Sequence, residues 1–173
     1  YAEHVLPPLE VEMATLVTHE LRGLGVHVHV GVAAQSITHG DDHDAVTLSD
    51  GTVLTADVIV LSIGVRPDTA FAEAAGIETS RGYILVDEHG RTSVDDVYAV
   101  GDGTMGRDHD RPVALAGPAN RGGRLVADAI ADAEHGEAAA RPIPSPQGTA
   151  IVRVGSLTAA MTGANRQALD ALG

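Results

Sequence analysis

The chain has 173 residues, 11 of them basic against 24 acidic, for a formal charge of −13. Every basic residue is Arg and there is no Cys, so the chain itself offers no thiolate, disulfide, Cys-bound zinc, Schiff-base lysine or P-loop lysine. With 2% aromatics it lacks the cationic track and stacking platforms of a nucleic-acid groove; no apolar run reaches a membrane span and no leader pattern opens it, so the expectation is a soluble, cytoplasmic protein with neither nucleic-acid nor membrane partners.

Leu6-Pro7-Pro8 predicts an extended entry to a helix. From there Leu9, Met13, Leu16, Val17, Leu21 and Leu24 fall on one helical stripe, and Gly23 and Gly25 predict its end. Val26 to Val30 alternates strictly with His27 and His29 and predicts a strand. Further strands are expected over 32–38, 45–48 and 52–54, with a polar turn at 40–44 and a tight hairpin turn at Asp50-Gly51. The unbroken run Val58-Ile59-Val60-Leu61-Ser62-Ile63 predicts a strand covered on both faces, ending in Gly64-Val65-Arg66-Pro67. A short helix over 68–75 should stop at Gly76. Strands are expected over 83–86 and, buried, over 97–100, followed by a polar loop over 101–112. A long helix is expected over 118–134 with Leu125, Val126, Ala129 and Ile130 inward. Pro142, Pro144 and Pro146 mark a linker, a strand is expected over 149–154, and a helix over 162–172. The alternation of strands and helices gives the α/β class. Because the pattern opens on a helix rather than a strand, the chain reads as a piece of a longer protein.

Gly101-Asp102-Gly103-Thr104-Met105-Gly106 matches G-x-G-x-x-G, but no amphipathic helix follows, as a dinucleotide fingerprint requires. The stretch from Thr92 to Asp102, with Val97-Tyr98-Ala99-Val100-Gly101-Asp102 at its end, reads differently. A buried strand ends at a glycine that lets a ligand approach the backbone, and Asp102 projects where ligands of open sheets bind. For Gly-Asp alone, a turn aspartate after a core strand would be the default. Other candidates carry less. His27 and His29 share a strand face without a third metal ligand; Asp41-Asp42-His43-Asp44 lacks the EF-hand pattern; Asp108-His109-Asp110 reads as surface. No metal site is expected.

The Thr92 to Asp102 stretch resembles the second flavin-binding motif of the FAD-dependent pyridine nucleotide-disulfide oxidoreductases. Asp57 to Pro67 looks like the segment joining that family's NAD(P)H-binding and FAD-binding parts. Leu115-Ala116-Gly117-Pro118-Ala119-Asn120-Arg121 with Arg124 is similar to a stretch of its coenzyme A-disulfide reductase, NADH oxidase and NADH peroxidase branch, departing at Gly122, which is read as a helix-surface detail. The resemblance covers essentially the whole chain. It implies parts of two FAD/NAD(P)-binding three-layer β/β/α domains. Residues 1–65 would end the NAD(P)H-binding domain, 66–143 would end the FAD-binding domain, and 144–173 would start an α+β dimerisation domain. It implies FAD and NAD(P)H as cofactors, a small-molecule disulfide, peroxide or oxygen as acceptor, and a homodimer when intact. Asp102 would hold the ribityl chain after Gly101. Leu115, Ala116 and Gly117 would face the isoalloxazine edge, with Gly117 as N-cap and Pro118 first in the helix, and Gly64 would lie beside the nicotinamide. The family's redox cysteine and pyrophosphate motifs would precede Tyr1, so no catalytic residue is assigned within the chain, which alone is expected to be inactive. A ferredoxin- or rubredoxin-type reductase, or a non-catalytic folded module, are the alternatives.

Overall fold

The computed structural model describes residues 2–109, 111–137 and 141–170; Tyr1, Asp110 and the end of the expected 162–172 helix lie outside the described residues. In chain order the elements are α1 (Val11–Gly23), β1 (Ala34–Thr38), β2 (Asp44–Leu48), β3 (Val53–Ala56), α2 (Ala70–Ala74), β4 (Thr79–Ser80), β5 (Tyr83–Val86), β6 (Thr104–Gly106), α3 (Ala116–Glu134), β7 (Ala150–Val154), β8 (Leu157–Met161) and α4 (Arg166–Asp170). The fold is mixed α/β with small sheets. It divides into two compact units, one of residues 1–63 with 149–173, the other of residues 64–148.

In the first unit the α1 stripe turns out narrower than expected. Leu9, Ala14 and Val17 are buried, while Met13 and Leu16 are more than half exposed. The face that wins is the one the C-terminal hairpin covers: Val154, Ala159 and Met161 pack on the buried trio with Val5, Leu6 and Leu21. α1 closes with two bonds, Gly25 N–H to Arg22 O and Val26 N–H to Leu21 O, with Gly25 left-handed at φ 84°. α2 and α3 close the same way, at Gly76 and Gly136. β1, β2 and β3 form an antiparallel sheet, with a register shift between Ala34 and Ser36. Its β2–β3 turn is drawn in by Asp50, whose carboxylate accepts the Thr52 N–H at 2.9 Å. The expected strand over 26–30 joins no ladder among the described residues. Alternation supplies a face to bury but not a partner to bond, and here no partner is offered.

Two carboxylates on or beside α1 hold the C-terminal segment. Glu20 accepts the Ser156 N–H at 2.7 Å in the β7–β8 turn, and Glu10 accepts the Arg166 N–H at 2.6 Å at the start of α4. Asn165 caps α4 through its side-chain oxygen, which accepts the Ala168 N–H, and donates its amide to Pro8 O.

In the second unit, β4 and β5 form a hairpin around Arg81-Gly82, both at positive φ. β5 also pairs in parallel with β6, inside what sequence reasoning took for a plain loop. Ala72, Ile84 and Val86 form the core with Ile77 and Ala99 packed on it. The run Val58 to Ile63 is not a doubly covered strand. Val58, Val60, Leu61 and Ile63 are 64–88% exposed, and the run joins no ladder among the described residues. The segment 97–100 is likewise no full strand; it makes one antiparallel bridge, Arg91 to Tyr98, and Val100 is 44% exposed.

α3 seats on this unit through glycine. Val126 packs on Gly90, whose φ is 78° and where a Cβ would strike the Val126 side chain. Asp87 builds the turn that presents Gly90, accepting the N–H of His89 at 2.8 Å and of Arg91 at 2.9 Å.

Gly90→Ala should therefore destabilise the fold by about 2–4 kcal/mol, from left-handed strain plus overpacking, and Val126→Ala in the same chain should recover part of that loss. Urea unfolding of the two single variants and the double variant measures it, and simple additivity would contradict the contact. Glu20 gives a pH prediction. The Ser156 hydrogen bonds hold its carboxyl below the ordinary value of 4.5. A depressed folded pKa stabilises above the unfolded value and is lost as pH falls through the folded one. Glu20→Gln should thus flatten the acid side of the stability curve below about pH 4.5 and leave its shape at neutral pH unaltered, as read by unfolding midpoints across pH.

Candidate functional site

The Thr92 to Asp102 stretch is built as a return loop. Thr92 N–H donates to Val97 O at 2.9 Å, Val97 N–H to Val94 O at 3.2 Å, and the Thr92 hydroxyl sits against the Val94 backbone. Tyr98 then bridges to Arg91, and their side-chain hydrogen bond raises the Arg91 pKa above its ordinary value. Ala99 N–H donates to Gly90 O at 2.9 Å and its methyl joins the core. Thr92, Val94, Val97, Tyr98 and Ala99 thus make the bonds and contacts that fix where the stretch ends.

At that end Gly101 takes φ 101°, with open space where a Cβ would stand. Thr104 closes the turn by donating both its N–H and its hydroxyl to Gly101 O, at 3.1 and 2.8 Å. Asp102 is exposed, and its carboxylate has no hydrogen-bond partner among the described residues. A carboxylate only accepts, so it can take a donor such as a hydroxyl.

Gly64 is exposed at φ 96°, again with open space beside it. The structure brings its neighbourhood to the Gly-Asp turn: a Cβ on Gly103 would lie 3.7 Å from the Pro67 ring. Leu115 is half-buried, while Ala116 and Gly117 are exposed. The α3 N-terminus needs a correction. Leu115 is the N-cap, with φ −137° and ψ 142°, and makes no side-chain cap bond; Gly117 is therefore second in the helix and Pro118 third. The shift is tolerated because first-turn N–H groups have no carbonyl inside the helix, so a proline there forfeits nothing. The N–H groups of Ala116 and Gly117 lack an intrahelical acceptor for the same reason.

Gly122 is also corrected. It is buried, not a surface detail: a Cβ there would lie 3.0 Å from Val100 Cγ2. That contact ties α3 to the backbone two residues before Asp102. Gly117 lies five residues earlier, about 7.5 Å along the helix axis at 1.5 Å per residue.

Of the remaining polar candidates, His43 and Asp44 sit in local pairs. His43 contacts Asp57 at 2.7 Å and His39 contacts Asp44 at 2.6 Å, both exposed. Among the described residues no group of three His, Asp or Glu is placed to hold a metal ion, and no helix is long and apolar enough to cross a membrane.

The family model for pyridine nucleotide-disulphide oxidoreductases matches residues 1–133. The chain is 41% identical over 128 residues to the rubredoxin-NAD(+) reductase of Alcanivorax borkumensis, covering 73% of this chain and 33% of that protein. It superposes on the reduced CoADR-RHD of Bacillus anthracis with a TM-score of 0.86 at 32% identity, over 99% of this chain and 30% of that one. On the NAD-dependent persulfide reductase of A. fulgidus the TM-score is 0.88 at 31% identity, over 98% of this chain and 31% of that one. The chain thus spans about a third of the length of these relatives. With the family model matched from residue 1 to 133 and the fold shared over nearly its whole length, the chain belongs to the pyridine nucleotide-disulphide oxidoreductase family, whose enzymes use FAD and NAD(P)H.

Proposed function

We propose that this chain forms the later part of a flavoprotein oxidoreductase that takes electrons from NAD(P)H and delivers them to a disulfide, a peroxide or oxygen. The observation that carries the reading is Asp102: an exposed carboxylate with no partner among the described residues, beside an open glycine, at the end of a stretch held by the backbone bonds of Thr92, Val97 and Ala99. An acceptor of that kind suits the hydroxyls of the FAD ribityl chain, and charge-assisted bonds are the stronger sort. Leu115, Ala116 and Gly117 set the positive end of α3 toward the isoalloxazine edge, where it stabilises negative charge. Gly64 leaves room on the nicotinamide side. FAD, when bound, supplies the two-electron carrier between nicotinamide and acceptor; the chain's own part is to hold the polyol, present N–H groups and exclude side chains from the approach.

On this reading residues 1–65 belong to an NAD(P)H-binding domain, 66–143 to an FAD-binding domain and 144–173 to the dimerisation domain of a cytoplasmic homodimer. The Leu115 to Asn120 stretch favours the small-molecule acceptors. A rubredoxin-type protein acceptor is the second reading, favoured by the 41% identity to the Alcanivorax relative. Steady-state assays of the intact polypeptide with coenzyme A disulfide and with rubredoxin separate the two.

Asp102→Ala in the intact polypeptide should weaken FAD affinity by roughly tenfold or more, with Asp102→Asn intermediate because an amide oxygen still accepts. Flavin absorbance after dialysis measures it; full flavin retention in both variants would refute the role.

A further inference from the structure

Away from the Gly-Asp turn, α3 and the segment after it line an open cavity of about 460 Å³ bordered by Arg121, Arg124, Leu125, Asp128, Arg141, Pro142 and Pro144, its charged residues all exposed. Three of the chain's eleven arginines converge there. Arg121 and Arg124 stand about one helical turn apart on α3, and Arg141 comes from the wall built by the segment after it. That wall is pinned: Ile143, between the two lining prolines, donates its N–H to Glu88 O at 2.7 Å. None of the three guanidinium groups makes an ion pair or hydrogen bond with a described residue, although Asp128 lines the same cavity. The count of charges in the wall is three positive against one negative. In a chain of net charge −13 this is the reverse of the overall balance.

We infer that this cavity is a binding site for the phosphate or pyrophosphate group of a small phosphorylated ligand. Guanidinium presents paired N–H donors in a plane that matches phosphate oxygens two at a time, so three of them unpaired around one space form a set of donors without acceptors. Leu125, Pro142 and Pro144 give the cavity an apolar wall beside the charges, as in sites that also seat an uncharged part of a ligand. The one acidic group, Asp128, offsets one of the three positive charges, and in the net positive field that remains a polyanion gains more than an anion of single charge. The inference is independent of the flavin reading: Gly64, Gly101, Asp102 and Leu115 to Gly117 line no part of this cavity.

The test is a calorimetric titration of the 173-residue chain with inorganic pyrophosphate, with acetate and chloride as monovalent comparisons, at two salt concentrations. A saturable one-to-one isotherm is expected for pyrophosphate only, weakening as salt rises. Arg124→Gln should lower the affinity about tenfold, and Arg124→Gln with Arg141→Gln should abolish it. Arg124→Lys should retain only part, because it keeps the charge but loses the paired geometry. Arg153→Gln, on β7 in the other unit, should bind like the parent. Circular dichroism of each variant confirms an unchanged fold before comparison. Absence of saturable pyrophosphate binding, or equal binding in the double variant, overturns the proposal.

Discussion

The candidate site depends on a pair of reciprocal contacts between valine and glycine. Val126 of α3 presses on Gly90, and Val100 presses on Gly122 of α3. Each contact lets a helix and a loop approach more closely than two side chains would permit, and each lies on the path to Asp102. Gly90 accepts the Ala99 N–H through its carbonyl, so the turn that receives α3 also holds the stretch ending in Gly-Asp. Interiors are close-packed and transmit small displacements. The position of an exposed carboxylate is therefore set by buried groups several residues away.

The acidic composition has a structural use beyond solubility. Several carboxylates are engaged by backbone N–H groups rather than by cations. Glu10 and Glu20 hold the C-terminal segment to α1, Asp50 draws in the β2–β3 turn, and Asp87 shapes the turn at Gly90. Depressed carboxyl pKa values at Glu20 and Asp50 follow from those N–H donors first. Among the arginines, Arg107 pairs with Glu78, while the three around the α3 cavity pair with no described residue.

Much of this was legible in the residues. The hairpin turn at Asp50-Gly51, the arrest of α1 and α2 by glycine, and the short strand over 83–86 rest on local rules that need no partner. What escaped depends on tertiary context. β6 lies in a loop of Gly, Thr and Asp, and only the neighbouring β5 turns it into a strand. The β4–β5 turn uses Arg81 at φ 53°, where Asn or Asp would have announced it. Met13 and Leu16 fit the helical stripe by period but lie off the face the hairpin covers. At the site, the motif located Asp102 and Gly101 directly. Gly122 was misplaced because a helix glycine has no side chain to reveal its face; only the contact with Val100 shows it.

The run from Val58 to Val65 brings the same point to its limit. β-branched and leucine side chains broken only by Ser62 and Gly64 encode a strand with cover on both faces. Among the described residues neither cover nor ladder is present, and Val65 is 93% exposed. Hydrophobic patterning specifies that surface should be buried, not against what. Exposed contiguous apolar surface normally marks a contact to be made, and this chain spans about a third of the length of relatives that share its fold. The pattern therefore encodes a packing partner that the described residues do not contain, whereas the Gly-Asp turn, built from local bonds and two glycine contacts, stands complete without one.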